Sequence, residues 1–109
     1  MFETLIQKLQ EDKYLTLETT PQHEPSMHNI IERIKKFKLQ DRVDGFSCTD
    51  NPLAKLKYNA LFASLKLQME FKKPVIATMS MRDRNKIALQ SDLMGANDFD
   101  VRAILALTG

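Results

Sequence analysis

Few residues in this sequence combine a reactive type with a telling position. Glu18 ends the extended run Tyr14-Leu15-Thr16-Leu17-Glu18 and is followed by Thr19-Thr20-Pro21. A carboxyl there either moves a proton on a catalytic face or simply caps a neighbouring loop. Thr49-Asp50-Asn51-Pro52 follows a second extended run. A hydroxyl beside turn amides can hydrogen-bond a ring edge or a ribose, and an Asx or ST turn accounts for the same four residues. His23 and His28 have no partner at metal-ligand spacing, so no metal site is expected. Cys48 is the single cysteine. It permits no intrachain disulfide, reads as a small buried hydrophobe, and fits a reducing, cytoplasmic compartment.

The elements that position these residues follow from periodicity. Phe2, Leu5, Ile6 and Leu9 predict a short amphipathic helix ending around Asp12-Lys13, before the strand that carries Glu18. Ser26 is a candidate N-cap for a helix whose face is Met27, Ile30, Ile31, Ile34 and Phe37. Val43 to Cys48 reads as the second strand. Tyr58, Leu61, Phe62, Leu65 and Met69 mark the next helix face, which ends at Lys72-Lys73-Pro74 because proline cannot continue the ladder. Val75 to Met79 is a continuous apolar run, as in a strand buried on both faces. Asp83 is the expected cap of a helix through Ile87, Leu89, Leu93 and Met94, and Ala103 to Leu107 is the fourth strand. Asp100, just before it, suits a left-handed helix cap.

The strand ends Glu18, Cys48, Met79 and Leu107 recur at about thirty residues, the length of a βα unit. Such units build an open doubly wound sheet or a closed barrel, and both place polar loops at the carboxyl ends of the strands. Four parallel strands leave apolar edges that natural domains cover. Residues 1–109 are therefore expected to form the first part of a larger barrel. The alternative is pairing of two half-barrels, with self-association through the exposed sheet edges.

Arg82-Asp83-Arg84-Asn85-Lys86-Ile87-Ala88-Leu89-Gln90-Ser91-Asp92-Leu93-Met94-Gly95-Ala96, with Leu105-Ala106-Leu107-Thr108-Gly109, resembles the methylenetetrahydrofolate reductase family. Glu18-Thr19-Thr20-Pro21 and Asp44 to Pro52 are similar to its first two strand ends in order and spacing. The resemblance covers the whole chain. It implies an α/β fold, the N-terminal half of a (β/α)8 TIM barrel, with four parallel strands, three intervening helices and an N-terminal helix. It also implies FAD as cofactor, NADH or NADPH as donor, and reduction of 5,10-methylenetetrahydrofolate to 5-methyltetrahydrofolate.

By the same resemblance Glu18 matches the catalytic glutamate. The folate ring must open to an iminium before it accepts a hydride, and opening needs a proton on the leaving nitrogen. A carboxyl buried at a barrel face favours its neutral, proton-donating form. Thr49 and Asp50 fall where family members contact flavin and nicotinamide. Thr78 stands where many relatives carry a flavin-touching histidine; it can donate a hydrogen bond but supplies no positive charge. Thr108 and Gly109 fall on the flavin-lining end of strand four, which the family follows with an aspartate.

Charge and composition exclude several other classes. Sixteen basic against 14 acidic side chains leave +2, spread through the chain, which gives no basic footprint for nucleic acid. No stretch is apolar for long enough to span a bilayer, and the amino-terminal residues lack a leader pattern. Lys35-Lys36 and Lys72-Lys73 are expected to be solvated at helix ends. Two further readings stay open: a non-catalytic half-barrel assembly subunit, and a pterin-binding methyl-transfer barrel without FAD.

Overall fold

Apolar residues at helical spacing alternate with β-rich runs, and the chain folds accordingly in a computed structural model that describes residues 1–11 and 13–109. The elements are α1 (Phe2–Gln10), β1 (Thr16–Thr19), α2 (His28–Lys36), β2 (Gly45–Cys48), α3 (Ala60–Phe71), β3 (Val75–Ser80), α4 (Lys86–Asp98) and β4 (Ala103–Leu107). The strands form one parallel sheet in the order β1-β2-β3-β4. This is the expected α/β architecture of a partial (β/α)8 barrel. The expected end of α1 at Asp12 lies outside the described residues.

The core sits between one face of the sheet and helices α2 and α3. Met27, Ile31 and Ile34 pack with Phe46 and Cys48 of β2, Val75 of β3, and Ala60, Ala63 and Leu67 of α3. The Phe46 and Phe71 rings lie 5.3 Å apart between centroids. A smaller cluster of Leu61, Ala77, Ala96 and Val101 joins α3, β3 and the α4–β4 corner. Because strand side chains alternate, burying Leu17, Phe46, Cys48, Val75 and Ala77 on the helix side sends Glu18, Ser47, Ile76 and Thr78 to the opposite face. That face is where a barrel would have its interior.

Several boundaries differ from the sequence reading. Asn85, not Asp83, caps α4, its side chain accepting from the Ala88 amide at 2.8 Å. Asp83 is instead paired with Arg82 at 2.8 Å. Tyr58 lies outside α3, which begins after Asn59, whose side chain accepts from the Phe62 amide. Met27, not Ser26, is the N-cap of α2 and brings no side-chain cap; Ser26 lies one residue earlier, where its hydroxyl accepts from the His28 amide at 2.9 Å. Lys73 is not a solvated helix-end charge: its ammonium donates to the carbonyls of Gln40 and Val43 and ties the entry of β2 to that of β3. Lys35 pairs with Glu70 and links α2 to α3.

At the amino ends of the strands the chain packs tightly. Gly45 admits no side chain, since a Cβ there would lie 2.3 Å from the Tyr14 hydroxyl and 2.5 Å from the Pro74 carbonyl. Asp100 adopts the expected left-handed backbone, with φ 62°. Its carboxylate accepts from the amino group of Met1 at 2.9 Å and from the Phe2 amide at 3.2 Å, so a residue far along the chain caps α1. No helix of the described residues is long and apolar enough to cross a membrane.

Candidate functional site at the carboxyl ends of the strands

Parallel register sets which side chains share the inner face. Glu18 lies opposite Ser47, Ser47 opposite Ile76, and Ile76 opposite Ala103. Two residues further along, Thr78 lies opposite Leu105, and then Ser80 opposite Leu107. Thr49 continues the alternation from Ser47, and its amide donates to the Thr19 carbonyl at 3.0 Å. The expected candidates Glu18, Thr49 and Thr78 are thus brought to one face near the strand ends. Glu18 is exposed rather than buried, because a four-stranded sheet does not close and β1 is its edge.

Asp50 takes a different place from Glu18. It is 7% exposed, and its carboxylate accepts from the Ser80 amide at 2.8 Å, from Arg84 Nη1 at 2.5 Å and from Asn51 Nδ2 at 3.2 Å. The Arg84 guanidinium also donates to the Ser80 carbonyl at 2.9 Å, and its Nε lies 3.4 Å from Asp92. The hydrogen bond to Asp50 holds the Arg84 proton still more firmly than usual, against the opposing effect of burial. Asp50 therefore ties the end of β2 to the end of β3 and the start of α4. Sequence reasoning overlooked Arg84, because a partner 34 residues away follows no helix or strand periodicity.

The next loop is held by its own side chains. Asn51 Oδ1 accepts from the Lys57 amide at 2.7 Å, a bond that spans six residues where an Asx or ST turn is expected. Within it Asn51, Leu53 and Ala54 take left-handed φ values of 42°, 58° and 58°. Non-glycine residues rarely adopt this backbone, and it recurs at ligand-binding segments.

Three features of this face bear on binding a polar ligand. The Thr49 hydroxyl is buried without a hydrogen-bond partner. Thr78 presents a second hydroxyl on the same face, at 7% exposure. Thr108 is exposed just beyond β4, and Gly109, with φ 115°, packs so closely on Arg82 that a Cβ there would lie 2.5 Å from the Arg82 Cβ. Cys48 lies on the other side of the sheet: it is fully buried against Thr19, and burial pushes its thiol up from the usual range. His23 and His28 are exposed, and His23 Nδ1 lies 3.2 Å from the Leu56 carbonyl. No cluster of metal-ligating side chains occurs among the described residues.

No curated protein and no solved structure matches the chain. A family described as methylenetetrahydrofolate reductase, by contrast, matches residues 2–109. That match spans all four strands, the three helices between them and every strand end described above, and by it the chain belongs to the methylenetetrahydrofolate reductase family.

Proposed function

We propose that this chain carries the proton-donating part of a flavin-dependent active face. The reaction is reduction of 5,10-methylenetetrahydrofolate to 5-methyltetrahydrofolate, with NADH or NADPH as donor. The family is one of folate-related reductases whose members generally use FAD. The observation that carries the reading is the contrast between two carboxylates. Asp50 is consumed by Arg84 and the Ser80 amide, whereas Glu18 stands exposed on the inner face at a strand's carboxyl end.

When bound, FAD supplies the relay that accepts a hydride from the nicotinamide and passes it on. The chain's own residues do the rest. The free hydroxyl of Thr49, with Thr78 and Thr108, would hold the cofactor by hydrogen bonds, and Gly109 lets the end of β4 lie close against Arg82 beside them. Glu18 delivers a proton to the leaving nitrogen of the folate ring, so that the ring opens to the iminium that can accept a hydride. Thr78 contributes no charge where relatives carry histidine, which leaves Glu18 as this face's proton source.

In the full-length protein Glu18→Gln keeps the shape of the side chain and removes the transferable proton. Nicotinamide-driven flavin reduction is expected to survive while folate reduction falls by about 100-fold or more. Unchanged folate turnover would overturn the role of Glu18, and failure of the full-length protein to retain FAD would overturn the reductase reading. A second reading has one specific observation behind it. Leu105 and Leu107 on β4, with Ile87 and Met94 on α4, are 46% to 80% exposed, as suits an edge that packs against further structure. A stable flavin-free dimer would support a non-catalytic assembly role instead.

A further inference from the structure

We propose that Arg84 and Asp50 act as a positioning pair that fixes the Thr49 hydroxyl in the orientation that receives the cofactor; this rests on the flavin reading above. Asp50 follows Thr49 directly, and the Asp50 side chain is 1% exposed and that of Arg84 13%. Asp50 Oδ2 accepts from both the Ser80 amide at 2.8 Å and Arg84 Nη1 at 2.5 Å, while Oδ1 lies 3.4 Å from Arg84 Nη2. Arg84 reaches back to the Ser80 carbonyl and across to Asp92 of α4. Residue 49 is therefore clamped at both ends, by its amide on Thr19 and by Asp50 on β3.

A buried ion pair is a poor device for stability alone, because desolvating both charges consumes most of the attraction and apolar residues of equal volume serve as well. What it provides is direction. A planar fork bonded to a carboxylate holds two strand ends in a single geometry, and a lysine cannot reproduce that fork. Among the described residues the Thr49 hydroxyl, next to this clamp, is a polar atom buried without a partner. A free hydroxyl on a rigid backbone is the arrangement that a bound ring edge needs, since the cost of ordering it has been met before binding.

The test is a double-mutant cycle on FAD affinity in the full-length protein, read by flavin fluorescence and by the visible circular dichroism of bound flavin, with no turnover required. Thr49→Val and Arg84→Gln are each expected to weaken FAD binding by roughly tenfold, and the double variant to be no weaker than the worse single one. Arg84→Lys should fall between wild type and Arg84→Gln. Additive losses would overturn the proposal, since Arg84 would then act independently of Thr49. So would Arg84→Gln binding FAD as tightly as wild type with the same dichroism. Should Arg84→Gln fail to fold, Asp50→Asn, which keeps an acceptor for the Ser80 amide, takes its place in the same cycle. A wild-type protein that binds no FAD would remove the flavin reading itself, a result distinct from either of these.

Discussion

The two ends of the sheet use similar residue types for different purposes. At the amino ends of the strands polar side chains are spent on backbone: Lys73 on the carbonyls of Gln40 and Val43, Asp44 on the Leu15 amide, and Asp100 on the start of α1. Gly45 lets Tyr14 and Pro74 close in on β2. At the carboxyl ends the Asp50–Arg84 pair holds the strand tops together, while Glu18 stays exposed and the Thr49 hydroxyl stays unpaired. One end closes the fold and the other presents groups, and βα barrels in general keep stabilising residues at the first end and catalytic ones at the second.

Four substitutions break or sharpen that contrast. The largest effect is expected from Glu18→Gln at the presenting end: about a 100- to 10,000-fold loss of folate turnover with the unfolding midpoint nearly unchanged, checked by steady-state kinetics beside thermal melts. A matching drop in stability would erase the distinction between the two ends. Gly45→Ala at the closing end should do the reverse, because its Cβ meets a backbone oxygen that cannot move aside. A loss of about 1–3 kcal/mol in urea unfolding is expected, and a variant as stable as wild type would contradict the packing.

Asp100→Asn isolates one charge while keeping a residue tolerant of left-handed backbone. The hydrogen bond from the Met1 amino group, and then that from the Phe2 amide, hold the Asp100 carboxyl below its usual range. Its contribution is thus fully present above the normal carboxylate range and is lost as pH falls through its lowered value. Because the group is largely exposed, the loss at neutral pH should stay below about 1 kcal/mol. The difference between Asn and Asp should vanish in acid, as unfolding at pH 7 and pH 2 would show.

The smallest effect is expected from Tyr14→Phe. The Tyr14 hydroxyl is buried without a partner, and burial, followed by the nearby Asp44, pushes it up to about 12 from 10.0. Below pH 10 it is protonated in folded and unfolded chains alike. As pH rises towards 12 the unfolded chain ionises first, so stability falls. Phenylalanine should change stability at pH 7 by less than about 1 kcal/mol and remove that alkaline decline. A persisting decline between pH 10 and 12 would assign it to another group.

Element types were legible because α2 and β3 carry unmistakable patterns, and β4 was bounded correctly by its apolar run. The regular interval of the strand ends placed Glu18 at a carboxyl end, but it was the family resemblance that singled out Glu18, Thr49 and Thr78 as candidates. Helix starts were less legible: Asp83 and Asn85 are both good caps, and only the pairing of Asp83 with Arg82 left the role to Asn85. Lys73 looked like a solvated helix-end charge because nothing local reveals carbonyls 30 and 33 residues earlier.

While the motif from Arg82 to Ala96 carried the resemblance to the family, local physics written along the chain settled the alternation of strand and helix and the parallel sheet it implies. It also placed a carboxyl and several hydroxyls at the strand ends. Which carboxylate is consumed and which is presented was decided only in three dimensions. Asp50 meets Arg84 and the Ser80 amide across the tops of β2 and β3, while Glu18 on the edge strand meets neither. Propensity and periodicity act over a few residues, whereas the pairing of charges depends on which strand ends the parallel register brings together.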